Sequence, residues 1–76
     1  MKDLVTYLVT NLVDDPDKVR VREVSGEKAE VFEIEVAVAD RGKLIGKEGR
    51  TIRAVRTLVA AAASRGGRRV VVEVLD

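Results

Sequence analysis

The chain has 76 residues, with no cysteine, no histidine, no tryptophan, a single proline and only two aromatic side chains, Tyr7 and Phe32. Without cysteine there is no disulfide, and without cysteine or histidine the usual zinc sites are excluded. A Cys or His nucleophile or base is excluded on the same ground. Two aromatics do not make a platform on which successive bases stack; both stand at apolar-periodic positions and are expected in the core. No apolar run reaches membrane length. Met1-Lys2-Asp3 leads into a mixed polar and apolar stretch, unlike the apolar core of a signal peptide, so a cytoplasmic protein is expected. What remains is one domain, residues 1–76, near the lower size limit for an unaided hydrophobic core. Its stability must come from packing, with self-association as the available supplement.

The formal net charge of +1 conceals a strong asymmetry. Residues 1–40 hold five basic and ten acidic side chains, a balance of −5. Residues 41–69 hold nine basic residues against Glu48 alone, a balance of +8, and the last seven residues add −2. A single charge run is commonly a solvated helix face. This one surrounds a glycine-bracketed turn, Leu44-Ile45-Gly46-Lys47-Glu48-Gly49-Arg50-Thr51-Ile52, and the coincidence points to a polyanion.

Hydrophobic spacing orders the rest of the chain. Leu4, Tyr7, Leu8 and Leu12, widened by Val5 and Val9, predict a helix over 2–13, stopped by Asp14-Asp15-Pro16-Asp17. From Val19 the valines alternate with Arg20 and Arg22 as in a strand, and Ser25-Gly26-Glu27-Lys28 supplies a turn. Residues 30–39 alternate again, with Phe32, Ile34, Val36 and Val38 on one face and Glu33 and Glu35 on the other. The two strands are expected to form a hairpin, with Glu33 and Glu35 facing Arg20 or Arg22. Asp40 is placed to cap a short helix ending at Leu44 or Ile45, before Gly46. A long helix over 50–64 puts Ile52, Val55, Leu58, Val59 and Ala62 on one side and Arg50, Arg53, Arg56 and Thr57 on the other. Gly66-Gly67 ends it, and 69–75 reads as a third strand. The order α-β-β-α-α-β predicts an α+β fold, a three-stranded sheet with the helices packed on one face.

The G-x-x-G turn has a physical rationale. Glycines let a sugar-phosphate backbone come close to the main chain, and the following helix aims unpaired N–H groups and its positive dipole end at the phosphates. A single-strand RNA-binding module is the function this implies.

Residues 44–52 resemble the [IV]-I-G-x-x-G-x-x-I signature of KH domains, with Leu44 in the first place. The element order resembles the type II, prokaryotic arrangement, and the short chain is similar to small bacterial single-KH proteins, the KhpA family. The resemblance implies a clamp on the backbone of about four nucleotides. Leu44, Ile45, Gly46, Lys47, Glu48, Gly49, Arg50 and Arg53 would be its RNA-binding residues. Lys47 and Arg50 would reach phosphates, Arg53 would extend the track, and Leu44, Ile45 and Ile52 would floor the groove. Glu48 departs from favourable electrostatics, because it opposes the phosphates. The resemblance further implies an RNA chaperone or regulator linked to cell shape and the envelope. Its implied partners are a second copy or a larger KH-containing protein, KhpB.

The same residues admit other roles. Gly46 and Gly49 also suit a helix C-cap and a turn, and Arg65, Arg68 and Arg69 suit a solvated helix-to-strand turn. Ala54 and Ala61 lie opposite the core stripe, where small side chains admit another helix and hence a dimer or a protein-interaction role. Asp14, Asp15 and Asp17 lack the spacing of a calcium loop, and no nucleophile–base constellation or Walker sequence is present. No enzyme activity, metal or cofactor is expected.

Overall fold

A computed structural model describes residues 1–75. It contains α1 (Lys2–Thr10), β1 (Arg20–Ser25), β2 (Ala29–Glu35), α2 (Arg41–Ile45), α3 (Arg50–Ser64) and β3 (Arg69–Val74), with single 3-10 turns at Pro16–Lys18, Val38–Asp40 and Lys47–Gly49. The sheet has the order β1-β2-β3. β1 and β2 form the expected antiparallel hairpin, and β3 lies parallel to β2 with Ala29 opposite Arg69 and Ile34 opposite Val74. A parallel pair needs a long crossover, and here α2, the glycine loop and α3 supply it.

The core lies between one sheet face and the helices. Phe32, Ile34 and Val72 project from the strands, Val5 and Val9 from α1, Leu44 from α2, and Ile52, Val55 and Val59 from α3; Val19 and Val36 complete it. Val5 and Val9, four residues apart, are the centre of the α1 stripe rather than its margin. Tyr7 is two residues, about 200°, from Val5. It is 66% exposed, against the expectation of core packing that Phe32 does meet. Leu58 likewise stands 55% exposed beside the α3 stripe instead of within it.

Two boundaries and one cap differ from expectation. α1 ends at Thr10, where side chains bond a carbonyl of the last turn: Thr10 Oγ1 donates to Tyr7 O at 3.0 Å and Asn11 Nδ2 to the same oxygen at 2.7 Å. β2 ends at Glu35, opposite Arg20, because β1 begins there and leaves later residues without a partner. Val36 still enters the core, but Val38 lies in a 3-10 turn and is 73% exposed. Asp40 does not cap α2 with its side chain. Its carboxylate instead accepts the amides of Asp14 (3.2 Å) and Asp15 (3.0 Å) in the α1–β1 connection, where it is buried to 3% exposure.

Cross-strand charge pairing is partly as expected. Arg22 faces Glu33 and its NH2 lies 2.6 Å from Oε1. Arg20 turns away and donates to the carbonyls of Asp17 and Val19. Arg68 pairs with Glu30 at 3.0 Å. A hydrogen bond shared with Glu30, with some desolvation and the nearby Glu30 charge, holds the Glu23 carboxyl above its ordinary value. The stability this contributes is present below the ordinary glutamate value and is lost as the pH rises through the raised one.

Candidate nucleic-acid interface

α2 is only five residues long, and Leu44 is its one buried side chain. Gly46 ends it, donating its N–H to Gly42 O at 2.8 Å. With φ 78° and ψ 170°, Gly46 occupies a region essentially closed to other residues. A Cβ built there would meet Thr51 Oγ1 at 2.2 Å, Thr51 Cβ at 2.7 Å and Thr51 N at 2.8 Å. Thr51 stands in the first turn of α3, so the absent side chain is what lets the loop fold back onto that helix.

The loop then makes one tight turn, Gly49 N–H donating to Gly46 O at 3.0 Å. Glu48 (φ 56°, ψ 26°) and Gly49 (φ 74°, ψ 14°) are successive left-handed residues. For Glu48 this conformation costs about 1–2 kcal/mol. Arg53, one turn into α3, reaches back. Its NH2 lies 2.9 Å from Glu48 O and its Nε 3.4 Å from Gly49 O.

The start of α3 is chemically unusual. Its N-cap is Gly49, with no side-chain cap and no acidic residue in its first turn. Arg50 and Arg53 occupy that end, where the helix dipole disfavours cations and an anion is stabilised. Arg50 NH2 lies 3.6 Å from Glu48 Oε2. Glu48, expected to oppose phosphates, thus sits as the loop's own carboxylate beside an exposed guanidinium.

The eight residues anticipated for this site divide. Lys47, Glu48, Arg50 and Arg53 are exposed, and Gly46 and Gly49 are half-buried around the same turn. Ile45 is 41% exposed and offers apolar surface beside it. Leu44 is at 0% exposure and Ile52 at 5%, so both anchor the loop from the core and have no face to offer a base. The basic run also separates in space. Arg56 donates to Val72 O in β3 at 3.2 Å. Arg65, Arg68 and Arg69 lie at the other end of α3, about 22 Å away for fifteen residues at 1.5 Å each. Lys43 is tied to Asp14, whose hydrogen bond and charge push the Lys43 ammonium above its ordinary value. Two residues that shape the site were not singled out for it. Thr51 has no spacing that marks it, and Asp40, read as a cap, is the pin between the α1–β1 connection and α2.

A family model described as the KH domain of KhpA/KhpB matches residues 2–74. The chain belongs to this family. KhpA relatives align along its length. The "RNA-binding protein KhpA" of Chlamydia pneumoniae is 49% identical over 76 residues, all of this chain and 97% of that protein. That of Aquifex aeolicus is 49% identical over 76 residues and 96% of its length. That of Clostridium acetobutylicum is 48% identical over 75 residues, 99% of this chain and all of its own. Among solved structures, Aquifex aeolicus Era bound to GDP.AlF4− superposes with a TM-score of 0.67 at 20% identity, over 96% of this chain and 28% of that one. At that identity the likeness concerns the fold, which is the α+β, KH-type arrangement expected. Among the described residues no helix of this KhpA/KhpB-family chain is long and apolar enough to cross a membrane.

Proposed function

We propose that this chain binds single-stranded RNA by gripping its sugar-phosphate backbone at the loop from Gly46 to Gly49. The observation that carries the reading is the uncapped, cation-bearing start of α3 directly behind a turn of three positive-φ residues. Such an end is electrostatically unfavourable alone and favourable once a phosphate occupies it. Lys47 and Arg50 supply the mobile charges, the glycines permit close approach, and Ile45 gives a base an apolar contact. Recognition of bases is shallow and weakly selective, since no aromatic belongs to the loop. The names carried by the relatives support RNA as the polymer.

The test is fluorescence anisotropy with short single-stranded RNAs at low and moderate salt. The double variant K47D/E48D keeps both glycines and makes the loop doubly negative. It is expected to lose the salt-sensitive binding while its circular dichroism is unchanged. Equal binding by wild type and variant would sink the loop as the clamp. Competition by matched DNA measures the preference for RNA, because phosphate contacts do not read the sugar.

On the resemblance to KhpA we extend this reading to a cytoplasmic RNA chaperone or post-transcriptional regulator, with no catalysis, acting in cell-shape and envelope control together with a KhpB-type protein. One small domain covers few nucleotides, so a second KH domain raises affinity through effective concentration. The outer face of α3 favours pairing as its second role. Ala54 and Ala61 are exposed there, with Leu58 beside them at 55% exposure. Ala61→Asp is expected to shift the protein to monomer in light scattering without loss of helicity; an unchanged mass would place pairing elsewhere.

A further inference from the structure

We propose that Arg53 is a positioning residue, not a phosphate contact: its guanidinium holds the glycine loop in its binding conformation by taking up the carbonyls of Glu48 and Gly49. The proposal rests on RNA binding at this loop and assigns one of its arginines a different task. α3 begins at Arg50 with Gly49 as its cap, so the Glu48 carbonyl lies outside the helix. Arg53 NH2 approaches it to 2.9 Å, and Nε reaches the neighbouring Gly49 oxygen at 3.4 Å. These oxygens belong to the two successive left-handed residues of the turn. A donor across both opposes their return to ordinary backbone conformations. It also places positive charge on carbonyl dipoles beside the path of a phosphate.

The planar fork of arginine suits two neighbouring acceptors; the point charge of lysine at this position does not reproduce it. Arg50 differs. It faces only the exposed Glu48 carboxylate at 3.6 Å, a partner that a phosphate can replace without unmaking the turn.

Salt dependence separates the two roles. Each phosphate neutralised on a single strand contributes about 0.7 to the slope of log K against log salt. Binding of a short oligouridine is measured across salt for wild type, Lys47→Gln, Arg53→Gln and Arg53→Lys, and exchange of the Gly49 amide is followed by NMR in the RNA-free proteins. Lys47→Gln is expected to bind more weakly with the slope reduced by about 0.7. Both Arg53 variants are expected to bind roughly tenfold more weakly with the slope unchanged. In both, the Gly49 N–H, which donates to Gly46 O, exchanges faster while amides of the sheet keep wild-type protection. A slope reduced in Arg53→Gln and restored in Arg53→Lys would overturn the proposal in favour of a phosphate contact. Unchanged affinity and unchanged Gly49 exchange would overturn it outright. If wild type fails to bind any RNA, the functional reading falls, and Gly49 exchange alone decides whether Arg53 holds the loop.

Discussion

Gly46→Ala is expected to leave a folded protein that grips RNA roughly 5- to 150-fold more weakly. The new Cβ collides with Thr51 Cβ at 2.7 Å and with Thr51 N at 2.8 Å. Rotating the Thr51 side chain relieves only the contact with its hydroxyl, and the other two atoms cannot move without moving α3. The backbone values at Gly46 add a penalty of about 1–3 kcal/mol for any residue with a side chain. The chain escapes by opening the turn, which separates the start of α3 from the loop that faces it. If the competent loop is reached only by repaying that strain, affinity falls by roughly 5- to 150-fold. Gly49 makes the useful contrast. It is left-handed, but a Cβ there meets nothing within 4 Å, and asparagine tolerates that conformation. Gly49→Asn is therefore expected to retain the fold and the turn. Thermal unfolding and anisotropy on the two variants check the pair. Equal tolerance at both glycines would show that Thr51 does not constrain the loop.

Asp40→Ala is expected to produce a large loss of stability. Both oxygens of this buried carboxylate accept main-chain amides, from Asp14 and Asp15, across 26 and 25 residues of sequence. Alanine leaves two amides without partners in a half-buried place. At roughly 1–3 kcal/mol for each orphaned group or lost charged hydrogen bond, the change costs about 3 kcal/mol. A 76-residue domain has a total stability of roughly 4–11 kcal/mol, so the loss is a large share. With about 4–8 °C for each kcal/mol in a domain this size, Tm falls by roughly 12–24 °C. Asp40→Asn keeps one acceptor and is expected to lose about half as much. A fall in Tm of only a few degrees in Asp40→Ala would mean that water satisfies those amides unaided.

These two residues also mark what the chain discloses as a string of letters. The order of elements, the hairpin, the core valines and the position of the glycine turn follow from periodicity and turn chemistry, which are local. Gly46 and Gly49 look equivalent in the string. Only the fold shows that one must lack a side chain because Thr51 occupies the space, whereas the other is constrained by its backbone angle alone. Asp40 reads as a helix cap because the distant amides it accepts are adjacent only in three dimensions. Tyr7 and Leu58 miss the core because the apolar stripes of α1 and α3 are wider than the faces that become buried. Leu44 belongs to the motif through its place in the core, a role that its spacing alone does not distinguish from a surface contact. The basic residues form one run in sequence, and the length of α3 spreads them from one end of that helix to the other.

The parallel pairing of β2 with β3 has a consequence for how the protein comes into being. Ala29 and Arg69 are register partners forty positions apart, and the whole candidate interface lies in the stretch between them. Closing so large a loop carries an entropic cost that is recovered only when the last strand docks. The segment from Gly46 to Gly49 lies inside that loop, so its packing on the core is expected to be completed late. The turn proposed to hold RNA is therefore expected to gain its geometry together with the docking of β3.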